Sequence, residues 1–161
     1  TTNYRYGYWN SVGTLYRPVS MVMFAIEWAM APDYPMLHHL VNVLLYAFTG
    51  FLLLLTLARW WPTSHLFFPF AVTLLFLAHP MHVEVIANIK SRDEILAFLF
   101  SIAALYFVWD FLEKKRKSHL IYALLAYTIA MFSKENAVTF LAVFPLSIYF
   151  FRKESIPEIL Q

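Results

Sequence analysis

The fold of this 161-residue chain is decided by the stretch from His39 to Ala58, which reads HLVNVLLYAFTGFLLLLTLA. No residue with a formal charge occurs between Asp33 and Arg59. An α-helix needs roughly 20 apolar residues to cross the hydrocarbon core of a bilayer, which is about 30 Å thick. Because this stretch meets that length, it predicts a transmembrane helix.

The composition of the whole chain also indicates a membrane protein. Hydrophobic residues make up 61% of it, charged residues make up 14%, and the mean hydropathy is +0.60. Soluble domains are about 45–50% apolar and about 25% charged, and a small fold cannot bury such a surplus of apolar residues. The composition therefore excludes a soluble enzyme and a disordered chain. The absence of cysteine excludes thiolate metal sites, and a net charge of +2 does not indicate nucleic-acid binding.

Four further apolar segments follow the first one, and together they predict an all-α bundle of transmembrane helices. We predict spans near residues 39–58, 66–78, 95–112, 120–132 and 137–151. Residues 1–37 are predicted to form a loop on the outer face, and residues 38–161 the bundle. Within the loop, Pro18 is expected to begin a short helix that lies at the interface or packs between the spans.

The basic residues predict how this bundle is oriented in the membrane. Short cytoplasmic loops carry an excess of Lys and Arg, so we place the densest basic cluster, Lys114 to Lys117, in the cytoplasm. With five spans, every compact polar motif then lies on the opposite, outer face. That face is periplasmic in a bacterial inner membrane and luminal in the endoplasmic reticulum, and the sequence leaves both open.

The longest polar motif of the outer face covers residues 79–94, between the second and third predicted spans. A helix that begins after His79 would place Glu84 and Asn88 on one face. Lipid does not solvate such groups, so they must line a cavity, a protein interior or the membrane surface. Two imidazoles, of His79 and His82, and a carboxylate could bind a divalent metal. Their spacing matches no metal signature, so we predict no metal and no cofactor.

Cations accompany the outer motifs at Arg17, Lys90, Arg92 and Lys134. Such a group suits a lipid-linked phosphate, whose head lies at the interface while its tail lies in the bilayer. Each cation also has a structural interpretation. Arg17 can pack against lipid headgroups, and Lys134 can end a capped turn with its amine reaching the interface.

Taken in order, the outer motifs resemble a known family. The motifs are Tyr16-Arg17-Pro18, His39-Leu40-Val41-Asn42, His79-Pro80-Met81-His82-Val83-Glu84, Ser91-Arg92-Asp93-Glu94 and Ser133-Lys134-Glu135-Asn136. They are similar to motifs of the transmembrane O-mannosyltransferases with tetratricopeptide repeats, which are membrane glycosyltransferases of the GT-C type. The resemblance covers about Tyr16 to Ala142. It departs at Ser91 and at Ala137, where the family often has glycine.

The resemblance implies an enzyme that transfers a mannose-like sugar from a polyprenyl- or dolichyl-phosphate donor to a hydroxyl of a protein or glycan on the outer face. It implies that Arg17, Arg92 and Lys134 bind the donor phosphate. It also implies an acidic base in the first outer loop, which we expect before Thr1, and repeats further downstream. The chain is therefore expected to be an inactive internal fragment of a longer protein. The expected pocket residues are His79, His82, Glu84, Asn88, Glu94 and Glu135.

Two other functions stay open on the sequence alone. A transporter or flippase for an anionic amphiphile would also place cations in a membrane cavity. Transporters usually carry their charges near the midplane and often contain inverted repeats, and the sequence shows neither feature. A non-catalytic scaffold would keep the helix bundle without the base.

Overall fold

The computed structural model describes residues 17–32, 34–61 and 66–151, and no β-strand occurs among them. The predicted all-α fold class is therefore confirmed. Of the predicted outer loop, residues 1–16 and residue 33 lie outside the described ranges. Within those ranges the seven α-helices are α1 (Pro18–Met30), α2 (Pro35–Trp60), α3 (Phe67–Leu77), α4 (Met81–Ala87), α5 (Arg92–Lys114), α6 (Lys117–Ser133) and α7 (Phe140–Phe151).

Two short 3-10 segments connect some of these helices. Ile89–Ser91 joins α4 to α5, and Glu135–Thr139 joins α6 to α7. The helix predicted at Pro18 is confirmed, since α1 begins there with proline in its first turn. Proline suits this position because its missing N–H would have no partner inside the helix.

The central helix of the bundle is α5, which packs against α2 and α6. Helices α2 and α5 run in the same direction, since Asn42 bonds Arg92 where both helices begin and Arg59 pairs with Asp110 where both end. Helix α6 returns antiparallel to α5 after a turn in which Lys115 adopts the left-handed conformation, with φ of 53°. This arrangement brings the start of α5 next to the end of α6.

Helices α1 and α2 bury polar residues and expose apolar ones. Helix α1 buries Ser20 and Glu27, and α2 buries Asn42, Thr49 and Thr56. The apolar residues exposed on the same two helices include Val22, Ile26, Leu44, Phe48 and Phe51. A helix at a water-exposed surface shows the opposite pattern. The pattern seen here suits a lipid environment, because polar groups in a membrane must find their partners inside the protein. The chain is a membrane protein.

Among the described residues, two helical segments are long and apolar enough to cross a membrane. They are α2 and the segment Ile89–Lys114, each of 26 residues, and they match the predicted spans at 39–58 and 95–112. Helices α3 and α4 are individually too short, but as a pair bent by 65° they could form a third span. The last two predicted spans fall in α6 and in the apolar segment Glu135–Phe151, each of 17 residues. The count of five spans stays a prediction.

Candidate functional site

The start of α5 brings several polar motifs together at one end of the bundle, which we name the Arg92 end. Three consecutive charged residues begin this helix, and consecutive residues of a helix point in different directions. Each therefore pairs with a different segment. Arg92 contacts α1 and α2, Asp93 contacts the residue before α1, and Glu94 contacts the residue after α6.

Arg92 is fully buried and all three of its guanidinium nitrogens have partners within the protein. Nη1 contacts the carboxylate of Glu27, Nε donates to Oδ1 of Asn42 at 2.7 Å, and Nη2 donates to the backbone carbonyl of His38 at 2.9 Å. The guanidinium carbon also lies 4.4 Å from the centre of the Phe24 ring. The phosphate contact that the sequence predicts for Arg92 would require this network to open.

Glu27 and Asn42 complete the buried network around Arg92. The Glu27 carboxylate contacts Nδ1 of His38 as well as Arg92. Asn42 is 0% exposed and donates to the backbone carbonyl of Asn88 at 3.4 Å. Glu27 and Asn42 are not among the site residues predicted from the sequence. A signal for Glu27 was available, because it is the sole charge of an apolar helix and such a charge requires a partner.

Arg17 and Lys134 also lie at the Arg92 end, and both pair with carboxylates. Arg17 contacts Asp93 through Nη1 and donates from Nη2 to Oε1 of Glu135 at 2.8 Å. Lys134 contacts Glu94 through its ammonium group. The side chains of Glu135 and Glu94 are 58% and 45% exposed, whereas that of Asp93 is 8% exposed. The carboxylates of Glu135 and Glu94 can therefore turn into solvent. Another anion could then bind Arg17 and Lys134 in their place.

The ion pairs also set the charge of Arg17 and Glu135. Burial by itself lowers the pKa of Arg17, but the hydrogen bonds and charges of Glu135 and Asp93 outweigh it and raise that pKa above its ordinary value. The pKa of Glu135 is lowered, first by the hydrogen bond from its own backbone N–H and then by the bond from Arg17. Both groups are therefore charged at neutral pH.

The other predicted pocket residues lie along the segment that runs from the break between α3 and α4, through α4, to the turn that follows it. They are His79, His82, Glu84 and Asn88. Nδ1 of His82 is 2.7 Å from the backbone oxygen of Phe76, and its ring packs on the Phe76 ring. Asn88 caps a 3-10 turn, while His79 and Glu84 are exposed. Among the residues that the structure describes, no three metal-ligating side chains gather in one place.

Comparison with known proteins finds relatives of one kind. The chain is similar to protein O-mannosyl-transferases. Protein O-mannosyl-transferase F38B6.6 of Caenorhabditis elegans is 32% identical to it over 94 residues, which is 56% of the chain and 13% of that relative. The human protein O-mannosyl-transferases TMTC2 and TMTC3 are 35% identical over 95 residues and 25% identical over 133 residues, respectively.

These alignments cover most of the chain but little of each O-mannosyl-transferase. The match to TMTC2 covers 56% of the chain and 10% of the relative, and the match to TMTC3 covers 80% and 14%. The chain thus spans about a tenth to a seventh of the length of the curated relatives it matches. No family model and no solved structure matches it. The resemblance to the transmembrane O-mannosyltransferases, predicted from the motifs, is confirmed.

Proposed function

We propose that this chain is the membrane-embedded part of a glycosyltransferase. The whole enzyme takes a sugar, mannose in view of the names of the chain's relatives, from a polyprenyl- or dolichyl-phosphate donor and transfers it to an acceptor hydroxyl on the periplasmic or luminal face. One observation carries the proposal. Arg17 and Lys134, which are 117 positions apart in the sequence, both lie at the Arg92 end, each paired with an exposed carboxylate.

The chemistry of these two cations suits the head of such a donor. A lipid phosphate must bind where protein, lipid and water meet, because its charge and its apolar tail need different surroundings. Arg17 presents a planar guanidinium that matches two phosphate oxygens, and Lys134 presents a compact charge. On binding, the phosphate replaces the exposed carboxylates of Glu135 and Glu94. One anion is exchanged for another, so neither cation is left unpaired.

The same cations would assist the transfer itself. The acceptor hydroxyl attacks the anomeric carbon, the bond from that carbon to the phosphate oxygen breaks, and negative charge develops on the departing lipid phosphate. Fixed cations beside that oxygen stabilise the transition state more than the ground state. The proton of the acceptor goes to a base, which we propose is an acidic residue of the whole protein's first outer loop.

We assign Arg92 a positioning role in this function. Its buried contacts join α1 to the start of α2 and α5. Arg17 directly precedes α1 in the chain, so the position of its guanidinium depends on where α1 is held. Arg92 therefore acts on the donor through Arg17, and its loss would disturb phosphate binding together with the packing of the helices.

The test measures donor binding by the intact protein in lipid nanodiscs. Labelled dolichyl phosphate mannose is titrated against the wild type, Arg17→Ala, Lys134→Ala and the control Lys117→Ala, which lies at the opposite end of α6. We expect each of the first two variants to lose affinity about tenfold or more, roughly 1.4 kcal/mol, and the control to bind like the wild type. Absence of saturable binding, or equal affinity in all four proteins, would contradict the proposal. Movement of the donor across the membrane without sugar transfer would instead indicate a flippase.

A further inference from the structure

A cavity of about 170 Å³ lies beside the Lys134–Glu94 pair, between α5 and the turn Glu135–Thr139. The α5 residues that line it recur at helical spacing and form one face of the helix. They are Glu94, Ala97, Phe98 and Ser101. At a rise of 1.5 Å per residue, Ser101 lies about 10 Å further along the helix than Glu94. The cavity therefore extends from a charged mouth into the bundle.

Ser101, which lines this cavity, carries a hydroxyl that lacks a partner. Ser101 is 0% exposed, and its Oγ has no hydrogen-bond partner. Other buried hydroxyls of the bundle behave differently, since those of Thr49, Thr56 and Ser133 each donate to the carbonyl four residues earlier at 2.8 Å. A buried hydroxyl without a partner is costly. A polar atom of a ligand in the cavity would satisfy it.

The walls of the cavity suit a ring with an apolar face and polar edges. Phe98 and Phe140 line it with ring centres 5.9 Å apart, and Asn136 and Thr139 add polar side chains. Binding sites for small ligands combine such aromatic surface with a few placed polar groups. The volume is well below the roughly 300–1,000 Å³ of sites for drug-sized ligands, so it suits one ring rather than a whole donor.

We infer that this cavity binds the sugar ring of the lipid-phosphate donor. The Ser101 hydroxyl bonds a ring hydroxyl, the phenylalanine rings contact the C–H face of the sugar, and Lys134 holds the phosphate at the mouth. The inference rests on the proposed function, because the sugar is attached to the phosphate that the cations bind. The competing occupant is the first isoprene unit of the donor's tail, which would need the aromatic walls but not the hydroxyl.

The test uses two short-chain ligands that differ by the sugar, mannosyl-phosphoryl citronellol and citronellyl phosphate. Their affinities are measured for the intact protein in nanodiscs, as wild type, Ser101→Ala, Ala97→Phe and the control Ser147→Ala. Ser147 is a buried serine of α7 whose hydroxyl already donates to the carbonyl of Phe144 at 2.8 Å. Because Ser101 has no partner in the unliganded protein, Ser101→Ala should not lower the melting temperature.

We expect Ser101→Ala and Ala97→Phe to weaken binding of the mannosyl ligand about tenfold and to leave citronellyl phosphate within about twofold. Ser147→Ala should change neither. Equal weakening of both ligands by Ala97→Phe would show that the cavity holds the isoprene unit and would overturn the inference. Unchanged affinities in Ser101→Ala and Ala97→Phe would also overturn the inference about the sugar ring, but they would not contradict the proposed phosphate site. A wild type that binds neither ligand would overturn the proposed function and the inference together.

Discussion

Arg92 at the start of α5 and Glu27 in α1 form a buried ion pair that connects residues 65 positions apart in the sequence. Their side chains are 0% and 9% exposed, so water contributes little to their solvation. Asn42 and His38 supply the remaining partners of the two charges. Among the described residues, this pair and the Glu27–His38 contact join α1 to α5 and α2, so they help to hold α1 in place.

Removal of the Arg92 side chain is expected to destabilise the protein strongly. Arg92→Ala would leave the Glu27 carboxylate buried without its cation, and breaking a buried pair in this way costs about 3–5 kcal/mol. Unfolding of the variant in detergent micelles measures the loss, with Arg116→Ala as the matched control, since Arg116 is exposed in the turn before α6. If Arg92→Ala unfolds like Arg116→Ala, the pair does not hold α1 in place.

Neutralising an exposed carboxylate is expected to tighten donor binding. Glu94→Gln removes the anion that competes for Lys134, and an exposed ion pair of this kind contributes about 0.2–1 kcal/mol. The affinity for dolichyl phosphate mannose should therefore rise up to about fivefold, measured by titration in nanodiscs. Glu113→Gln serves as the control, because Glu113 is an exposed residue at the other end of α5. Weaker binding by Glu94→Gln would mean that Glu94 itself contacts the donor.

The bond between Arg17 and Glu135 predicts the direction of a pH effect. The pKa of Glu135 is lowered from its ordinary value of 4.5, first by its own backbone N–H and then by Arg17, so folding favours the ionised carboxylate. Its contribution to stability is complete above the ordinary pKa and is lost as the pH falls through the lowered one. The melting temperatures of the wild type and Glu135→Gln should differ by a constant amount at pH values above 4.5. The two melting temperatures should converge as the pH falls below that value. A difference that disappears near neutral pH would contradict this assignment.

The sequence was sufficient to predict the helices but not their partners. Hydropathy located α2 and α5, and proline located the start of α1, because both signals are local. The partners of Arg92 are an example of what local sequence patterns do not predict. Like Arg17 and Lys134, Arg92 belongs to a polar motif of the predicted outer face, and this suggested a phosphate contact. The structure buries Arg92 against Glu27 and Asn42. Contacts between positions so far apart depend on how the helices pack, and the local patterns of the sequence do not reveal that packing.

The second predicted span shows a different limit. The apolar run at 66–78 forms α3, which is too short to cross a membrane by itself, and α4 continues from it at an angle of 65°. Pro80 marks the break in the sequence, but a proline does not specify the angle. The histidines that the sequence placed in a pocket lie at this bend. There His82 contacts the last turn of α3 through the Phe76 carbonyl.

Gly50 is expected to set how closely α3 approaches α2. A Cβ added at Gly50 would lie 2.6 Å from Cδ1 of Leu77, and small residues at such crossings allow membrane helices to pack closely. The hydroxyl of Tyr46, one turn earlier in α2, donates to the Leu77 carbonyl at 3.0 Å and fixes the same crossing. The atoms that the new methyl group would meet belong to the end of the Leu77 side chain, which can shift, so Gly50→Ala should lower the stability in micelles by an amount near or below the lower end of the about 1–3 kcal/mol that overpacking costs.

A second substitution separates this close contact from other effects of the mutation. Leu77→Ala removes the atoms that the new methyl group would meet, so the Gly50→Ala/Leu77→Ala double variant should lose less stability than the two single losses added together. The coupling is measured from the unfolding free energies of all four proteins under one set of conditions. If the losses are additive, contact with Leu77 is not what excludes a side chain at Gly50. The alanine would then act by another route, such as altered packing along α2 itself.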